Sequence, residues 1–490
     1  AGWLALLFGV TAFVAASLLF VVQPLVARTM LPVLGGSASV WNSAMVTFQV
    51  LLLGGYLLAH LSVTRLPARV HAPVVVAFAL VAAVALPVGL RAGWRPSGSE
   101  PAVWTIGAVA AAVGLPFLAL ACVSPTLQRW YADVRPDVDP YVLYSAGNAG
   151  SFVGLLAYPL VIERATGIGA QQGLWSAGYA LFLVLFGICG ALAWRAVGAG
   201  AGSRLVGSAG AVPAASSSTR PAPAQFLRWV GMSAGPSLLL LGVTRHIATD
   251  VAAIPLLWVL PLSLYLLTFV LVFSGRGPAL VDGAERLGLV LAAVVMVSLT
   301  AMVPGAFGIG LHLVTFALLT LATHGRLVAS RPDASQLTSF FLAMSLGGAG
   351  GGLVGGLVAP LVFPSILEYP LGLVACVVWL RPRLALGPRV RVGAMVAAFA
   401  LVVVALVLRW GTSDVSGPSL QVQLALGLAV FASFMWSRRG WEAALVLALV
   451  AAVAVVVPAP QMLVRLRTYY GVTRVLEGDD GRVVMLSGTT

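Results

Sequence analysis

Residues 335–370 read SQLTSFFLAMSLGGAGGGLVGGLVAPLVFPSILEYP, and this stretch decides how the chain folds. It is apolar enough to enter a bilayer, yet Gly347, Gly348, Gly350, Gly351, Gly352, Gly355 and Gly356 crowd together. Flanked by Phe340, Phe341, Leu342, Met344, Leu353 and Leu357, the run reads as a membrane helix with one face of bare backbone. Gly348/Gly352 and Gly352/Gly356 are small-xxx-small pairs, which let helices approach closely where lipid supplies no hydrophobic drive for association. Glycine also weakens a helix. Two readings therefore stay open, close packing alone or a break that lines a cavity.

Composition carries the membrane reading to the whole chain. Hydrophobic residues make up 60%, charged residues 9%, and mean hydropathy is +1.02, against about 25% charge in soluble domains. A globular soluble core is excluded. All 28 basic residues are arginine, so neither a Schiff-base lysine nor a P-loop lysine is present. The net charge of +13 does not point to nucleic acid, because the arginines stand singly or in pairs between apolar runs. That is the pattern of loop anchors facing anionic headgroups, which makes the lipid bilayer the partner. Cys122, Cys189 and Cys376 lie inside apolar runs without metal-ligand spacing. No metal, cofactor or disulfide framework is expected. The opening Ala1-Gly2-Trp3 suggests a start further upstream. The first apolar run lacks a small-residue cleavage site after it and reads as a retained helix.

Measured against the roughly 20 apolar residues that cross a bilayer, the chain holds about fourteen or fifteen candidate spans. Six fall in 1–196. Residues 197–225 (SAGAVPAASSSTRPAPA at their heart) are too small and polar to bury a core and read as a flexible linker. Six more spans fall in 226–380, and about three in 381–457. After Pro458 and Pro460 the pattern alternates. Tyr470–Leu476 and Arg482–Leu486, joined by Gly-Asp-Asp-Gly, read as a β-hairpin opening a soluble domain over 458–490.

Loop charge orients this array. Eighteen arginines, from Arg65 and Arg69 to Arg438 and Arg439, lie in loops after even-numbered spans, and six (Arg28, Arg91, Arg95, Arg164, Arg245 and Arg409) in loops after odd-numbered ones. The N-terminus is therefore expected in the cytoplasm. Fifteen spans would put the C-terminus outside and fourteen inside. The tail's own Arg465, Arg467, Arg474 and Arg482 favour inside, and the conflict stays open.

Three stretches are similar to the bacterial fused major-facilitator/spermidine-synthase-like membrane proteins. They are VVQPLVARTMLPVLGGSASVWNSAMVTFQVLLLGGYLLAH from Val21, the pair GLPFLALACVSPTLQRWYA and YVLYSAGNAGSFVGLLAYPLVIE within Gly114–Glu163, and LLLLGVTRHIATDVAAIPLLWVLPLSLYLLTF with the THGRL…EYP block within Leu238–Pro370. The tail YYGVTRVLEGDDGRVVMLSGTT resembles the start of that family's aminopropyltransferase-like domain. The resemblance implies an all-α polytopic protein of the bacterial inner membrane, with two six-helix halves in a major-facilitator-like layout, about three extra helices and a short C-terminal hairpin. It places no catalytic residue in this sequence. HLSVTRLPARVH stands where classical major-facilitator transporters carry a basic signature between spans two and three.

Polar groups inside spans are costly and mark sites or helix contacts. Gln23-Pro24 is expected to end the first span, with the Gln23 amide taking the carbonyl that proline frees. Asn42 and Gln49, seven apart, share a face of span two and, with Gln23, could line a polar seam. Tyr144 and Asn148, with Tyr141 and Ser151, give span five a polar stripe, in which aromatic rings could hold an amine. Arg245, His246 and Asp250 are expected in a short outer break, with Arg245 pairing Asp250. His246 is a candidate pH-sensitive group. Glu368 could join Asp250 in an acidic mouth for a cation, or pair with Arg245. No histidine pair is expected to face one another at span depth, so haem is not indicated. Three functional readings follow: a transporter-like module for a small cationic metabolite of the polyamine class, a membrane anchor for an enzyme domain beyond residue 490, or an accessory subunit docked to other membrane subunits.

Overall fold

The glycine-rich stretch is helical from Leu337 to Val362, breaks between Phe363 and Leu367, and is helical again from Glu368 in the computed structural model, which describes residues 2–34, 38–90, 101–198, 221–250, 258–273, 277–299, 305–333, 336–381, 387–411, 420–453, 462–467, 472–477 and 482–487. Helix α13 (Leu337–Leu353) passes through a π-turn at Val354–Val358 into α14 (Ala359–Val362). The extra residue in such a turn is accommodated at Gly355 and Gly356, both buried. The glycines sort by what they face. A Cβ on Gly347 would press on the Val230 carbonyl, and one on Gly351 on the Ala234 carbonyl, both in α9 (Pro223–Asp250). A Cβ on Gly352 would collide with the Gln49 amide of α2 (Ala38–Arg65), while nothing lies within 4 Å of that position on Gly348 or Gly350. Close packing and cavity lining are both realised, by different glycines of one helix.

The same device joins α1 (Gly2–Leu34) to α6 (Val142–Ala157), where Gly150 and Gly154 meet the backbone of Phe13 and Ser17. Ser17 Oγ donates to the Gly150 carbonyl at 2.9 Å. Helix α1 does not end at Gln23-Pro24. It runs on to Leu34 through Pro24 and Pro32, and the Gln23 amide bonds the Leu19 carbonyl at 3.4 Å rather than the carbonyl that Pro24 frees. A proline inside a membrane helix is tolerated where neighbouring helices hold the segment, and Gln23, Leu25 and Val26 are all buried.

The remaining N-terminal helices are α3 (Ala68–Ala82), α4 (Pro101–Ala121), α5 (Val123–Val134), α7 (Glu163–Ala165) and α8 (Ile168–Gly198). They surround a first apolar cluster that runs from Phe8 to Ala193 and centres on Phe117, Trp130, Tyr179 and Phe186. A second cluster takes a few residues of α2 and α6 and then runs from Trp229 to Val453. It is built by α9, α10 (Val259–Phe273), α11 (Gly277–Ser298), α12 (Gly305–Ala329), α13, α15 (Glu368–Val377), α16 (Pro388–Gly411), α17 (Leu420–Trp436) and α18 (Gly440–Ala451). Of the expected linker, residues 199–220 lie outside the described part of the chain.

Among the described residues, ten helices are long and apolar enough to cross a membrane, and four apolar helices of 10–17 residues accompany them. Helix α9 reaches Asp250 without the expected break at Arg245–Asp250. The tail holds one strand more than the expected hairpin: β1 (Met462–Arg467), β2 (Val472–Glu477) and β3 (Val483–Ser487) form an antiparallel sheet in the order β1-β2-β3. Arg465 pairs with Arg474, and Arg474 with Leu486. The Gly478–Gly481 turn lies outside the described residues.

Candidate functional site

Where α1, α2, α4, α5 and α6 meet α9, α10 and α13, the packing encloses a cavity of about 190 Å³. Its wall is mostly alanine, leucine and phenylalanine, interrupted by Gln23, Gln49, Tyr56, Ser124, Tyr144, Asn148, Ser151, Ser237, Tyr265 and Ser345. No charged side chain is among the described lining residues. Of the residues singled out from sequence, Gln23, Gln49, Tyr144 and Asn148 are brought together here. Asn42 belongs to α2, but its side chain lies outside the described residues.

Several of these polar groups are held by named partners. Asn148 donates its amide N–H to the Tyr144 carbonyl at 2.8 Å, and Ser151 its hydroxyl to the Gly147 carbonyl at 3.1 Å. Such back-bonds satisfy the donor inside the helix and leave oxygen lone pairs to the cavity. Across the seam, Ser237 Oγ donates to the Gly348 carbonyl at 2.7 Å and receives Gln49 Nε2 at 3.2 Å. Because the single serine proton is committed to Gly348, Gln49 must present its N–H to Ser237, and this fixes the amide orientation. Gln49 Oε1 is left buried without a hydrogen-bond partner, as is Ser345 Oγ. Buried polar atoms left unpaired cost about 1–3 kcal/mol each, a cost that a bound ligand with donors can relieve.

Aromatic rings close one end of the cavity. Tyr144 lies 4.5 Å from Phe273, 5.0 Å from Phe341 and 5.9 Å from Phe269, centroid to centroid. Tyr265 lies 5.4 Å from Phe269, and Tyr56 6.3 Å from Phe341. Beyond this cluster the two halves are tied together. Tyr141 OH donates to the Pro332 carbonyl at 3.1 Å, and its ring sits under the Arg331 guanidinium at 4.9 Å. Arg331 Nη2 donates to Asp139 Oδ2 at 3.1 Å. His60 Nδ1 meets Thr338 Oγ1 at 3.0 Å. Burial pushes the Tyr141 phenol well above its ordinary range, so it remains a neutral donor. Asp139, Arg331, His60 and Thr338 went unrecognised in the sequence, where loop charges and span-end hydroxyls carry no sign of a cross-seam partner.

Arg245, His246 and Glu368 form a separate cluster at the opposite end of the helices. Glu368 is fully buried, with Arg245 Nη1 at 3.5 Å and Arg467 Nη2 at 2.6 Å. It therefore forms no open acidic mouth. Pairing with Arg245 is the alternative that holds, and the side chain of Asp250 lies outside the described residues. His246 does face a second histidine, contrary to expectation: its Nε2 is 3.3 Å from Nε2 of His312, whose Nδ1 is 2.7 Å from Tyr369 OH. A histidine inside the run GIGLHLVT was the available signal. The pair is in direct hydrogen-bond contact. No group of three or more metal-ligating side chains occurs among the described residues.

No family model matches the chain, and no curated protein matches it. Among solved structures, it is similar to a point mutant of the peptide transporter POT in complex with alafosfalin, at 17% identity and TM-score 0.45, over 76% of this chain and 93% of that one. It is also similar to the same mutant in complex with sulfate, at 16% identity and TM-score 0.46, over 76% and 92%. The helices themselves, by length and apolarity, make the chain a multi-pass membrane protein with a small three-stranded sheet at its C-terminal end.

Proposed function

We propose that the chain is a membrane transporter that carries a small organic molecule with at most one positive charge through the cavity between its two halves. The observation that carries the reading is the cavity itself, placed at the meeting of α1, α2, α4, α5 and α6 with α9, α10 and α13 and furnished with amide, hydroxyl and aromatic groups. Rings around a desolvated site attract a cation by about 2 kcal/mol or more. Amide and hydroxyl oxygens add acceptors for its N–H groups. A polyamine, the class implied by the family resemblance, carries several ammonium groups and calls for carboxylates. The described lining offers none, so a monocation or a neutral amphiphile fits better.

The division into 1–196, 226–380, 381–457 and 458–490 is part of this proposal, supported by the two apolar clusters. So is the orientation with the N-terminus in the cytoplasm of a bacterial inner membrane. On that orientation the Asp139–Arg331, Tyr141–Pro332 and His60–Thr338 ties shut the cytoplasmic end of the cavity, and access is from outside. The test is uptake into proteoliposomes of a small panel: tetramethylammonium, choline, putrescine and a neutral amide. Saturable uptake of the monocations whose half-saturation concentration rises in Tyr144→Ala and Asn148→Ala supports the reading. Uptake of putrescine alone, or uptake indifferent to both substitutions, refutes it. A second role, as membrane platform for a soluble domain, is favoured by the attachment of the sheet to the helices through Arg467.

A further inference from the structure

The backbone between α14 and α15 is shaped around one guanidinium. Phe363 turns out of the helix into extended backbone (φ −104°, ψ 132°), and α15 begins only at Glu368. The carbonyls of Ala359, Phe363 and Ser365 converge there with the Glu368 carboxylate. Carbonyls at a helix C-terminus carry partial negative charge, so the break is an anionic cradle. Arg467 of β1 fills it. The two protons of Nη1 are shared among the Ser365 carbonyl, Glu368 Oε2 at 3.2 Å, and the Ala359 and Phe363 carbonyls at 3.4 Å each. Nη2 donates to Glu368 Oε1 at 2.6 Å. This is the two-pronged geometry in which arginine grips a carboxylate. The Arg467 side chain is 2% exposed, whereas its strand neighbour Leu466 is 59% exposed. The strand therefore lies at the surface and sends in this one head group. A lysine ammonium, with all its donors on one atom, cannot span both carboxylate oxygens and the carbonyls together.

We propose that this break is a guanidinium receptor, filled by the chain's own Arg467, and that its occupancy holds the sheet on the helix bundle. The receptor connects to the cavity helices, because Glu368 Oε1 also faces Arg245 of α9, the helix that carries Ser237. Truncating Arg467 empties the receptor, and a free guanidinium of the same shape then enters it.

Two readouts on the full chain in detergent test the two halves of the proposal. The first is thermal stability with methylguanidinium as the probe and methylammonium at equal concentration as the control. A saturable upward shift in Arg467→Ala, absent from the unsubstituted protein and absent with methylammonium, is the expected result. No shift in Arg467→Ala, or an equal shift in both proteins, overturns the receptor. The second is the distance distribution between spin labels on Glu477→Cys in β2 and Val362→Cys in α14. Both positions are exposed, and the native cysteines are buried. The distribution is narrow with arginine at 467 and broad with Arg467→Ala and with Arg467→Lys. A distribution as narrow with alanine overturns the holding role, and one as narrow with lysine overturns the guanidinium specificity. Neither readout depends on transport, so failure here leaves the cavity reading standing.

Discussion

Two glycines three residues apart in α13 should respond oppositely to the same added methyl. At Gly351 a Cβ would press on the Ala234 carbonyl oxygen and sit 3.0 Å from the Leu238 nitrogen, both backbone atoms of α9. Backbone in a packed helix cannot rotate aside as a side-chain tip can, so α9 and α13 must separate. Overpacking of this kind costs about 1–3 kcal/mol, and the rigid partner puts Gly351→Ala near the top of that range. Alanine returns about 1 kcal/mol through helix propensity. The net expectation is a loss of roughly 2 kcal/mol. At Gly348 nothing lies within 4 Å, so Gly348→Ala keeps the propensity gain and only narrows the cavity. Reversible unfolding of the detergent-solubilised protein in increasing dodecyl sulfate measures both. Equal effects at the two positions, or a destabilised Gly348→Ala with an unchanged Gly351→Ala, would refute the assignment of one glycine to packing and the other to the cavity.

Further consequences follow from the same seam. Tyr144→Ala removes a ring from the aromatic end of the cavity and should weaken tetramethylammonium binding by roughly tenfold, the equivalent of about 1.4 kcal/mol; calorimetry reads the change directly. Asp139 and Arg331 are half-exposed, so a double-mutant cycle on Asp139→Asn and Arg331→Ala should give a coupling of no more than about 1 kcal/mol. Their value is in positioning, and the double variant should instead raise the labelling of cavity cysteines from the arginine-rich face. Gln49→Leu removes the amide that meets Ser237 across the seam. It should lower ligand affinity while changing stability little, because the unpaired Gln49 Oε1 is removed with the bond; parallel unfolding and binding titrations separate the two effects.

The membrane fold was legible because lipid imposes a simple rule, long apolar helices with charge in the loops. The crowding of glycines in 347–356 announced a tight helix junction, but the pairs read there, Gly348/Gly352 and Gly352/Gly356, are not the ones that meet α9, which are Gly347 and Gly351; the junction at Gly150 and Gly154 went unread. The polar stripe Tyr144–Asn148 and the amides Gln23 and Gln49 were readable as costly groups that needed a shared shelter. What stayed hidden depended on contacts between distant parts of the chain. Nothing local to Arg331 names Asp139, and nothing local to His246 names His312. Glu368 could be read as an open acid or as a partner of Arg245, but its second partner, Arg467, stayed hidden because it lies in a strand 99 residues away. Pro24 misled because a proline ends a helix only where no neighbour holds the next turn in place.

The account rests on a ligand-accessible chamber between the two halves, and cysteine chemistry at Gly348 tests it most directly. Gly348→Cys places a thiol on the cavity wall, while Cys122, Cys189 and Cys376 remain buried. A membrane-impermeant cationic methanethiosulfonate should modify it from the arginine-poor face of oriented vesicles, and preloading with tetramethylammonium should slow the reaction. Failure to react from either face, or a rate that tetramethylammonium leaves unchanged, would contradict the account.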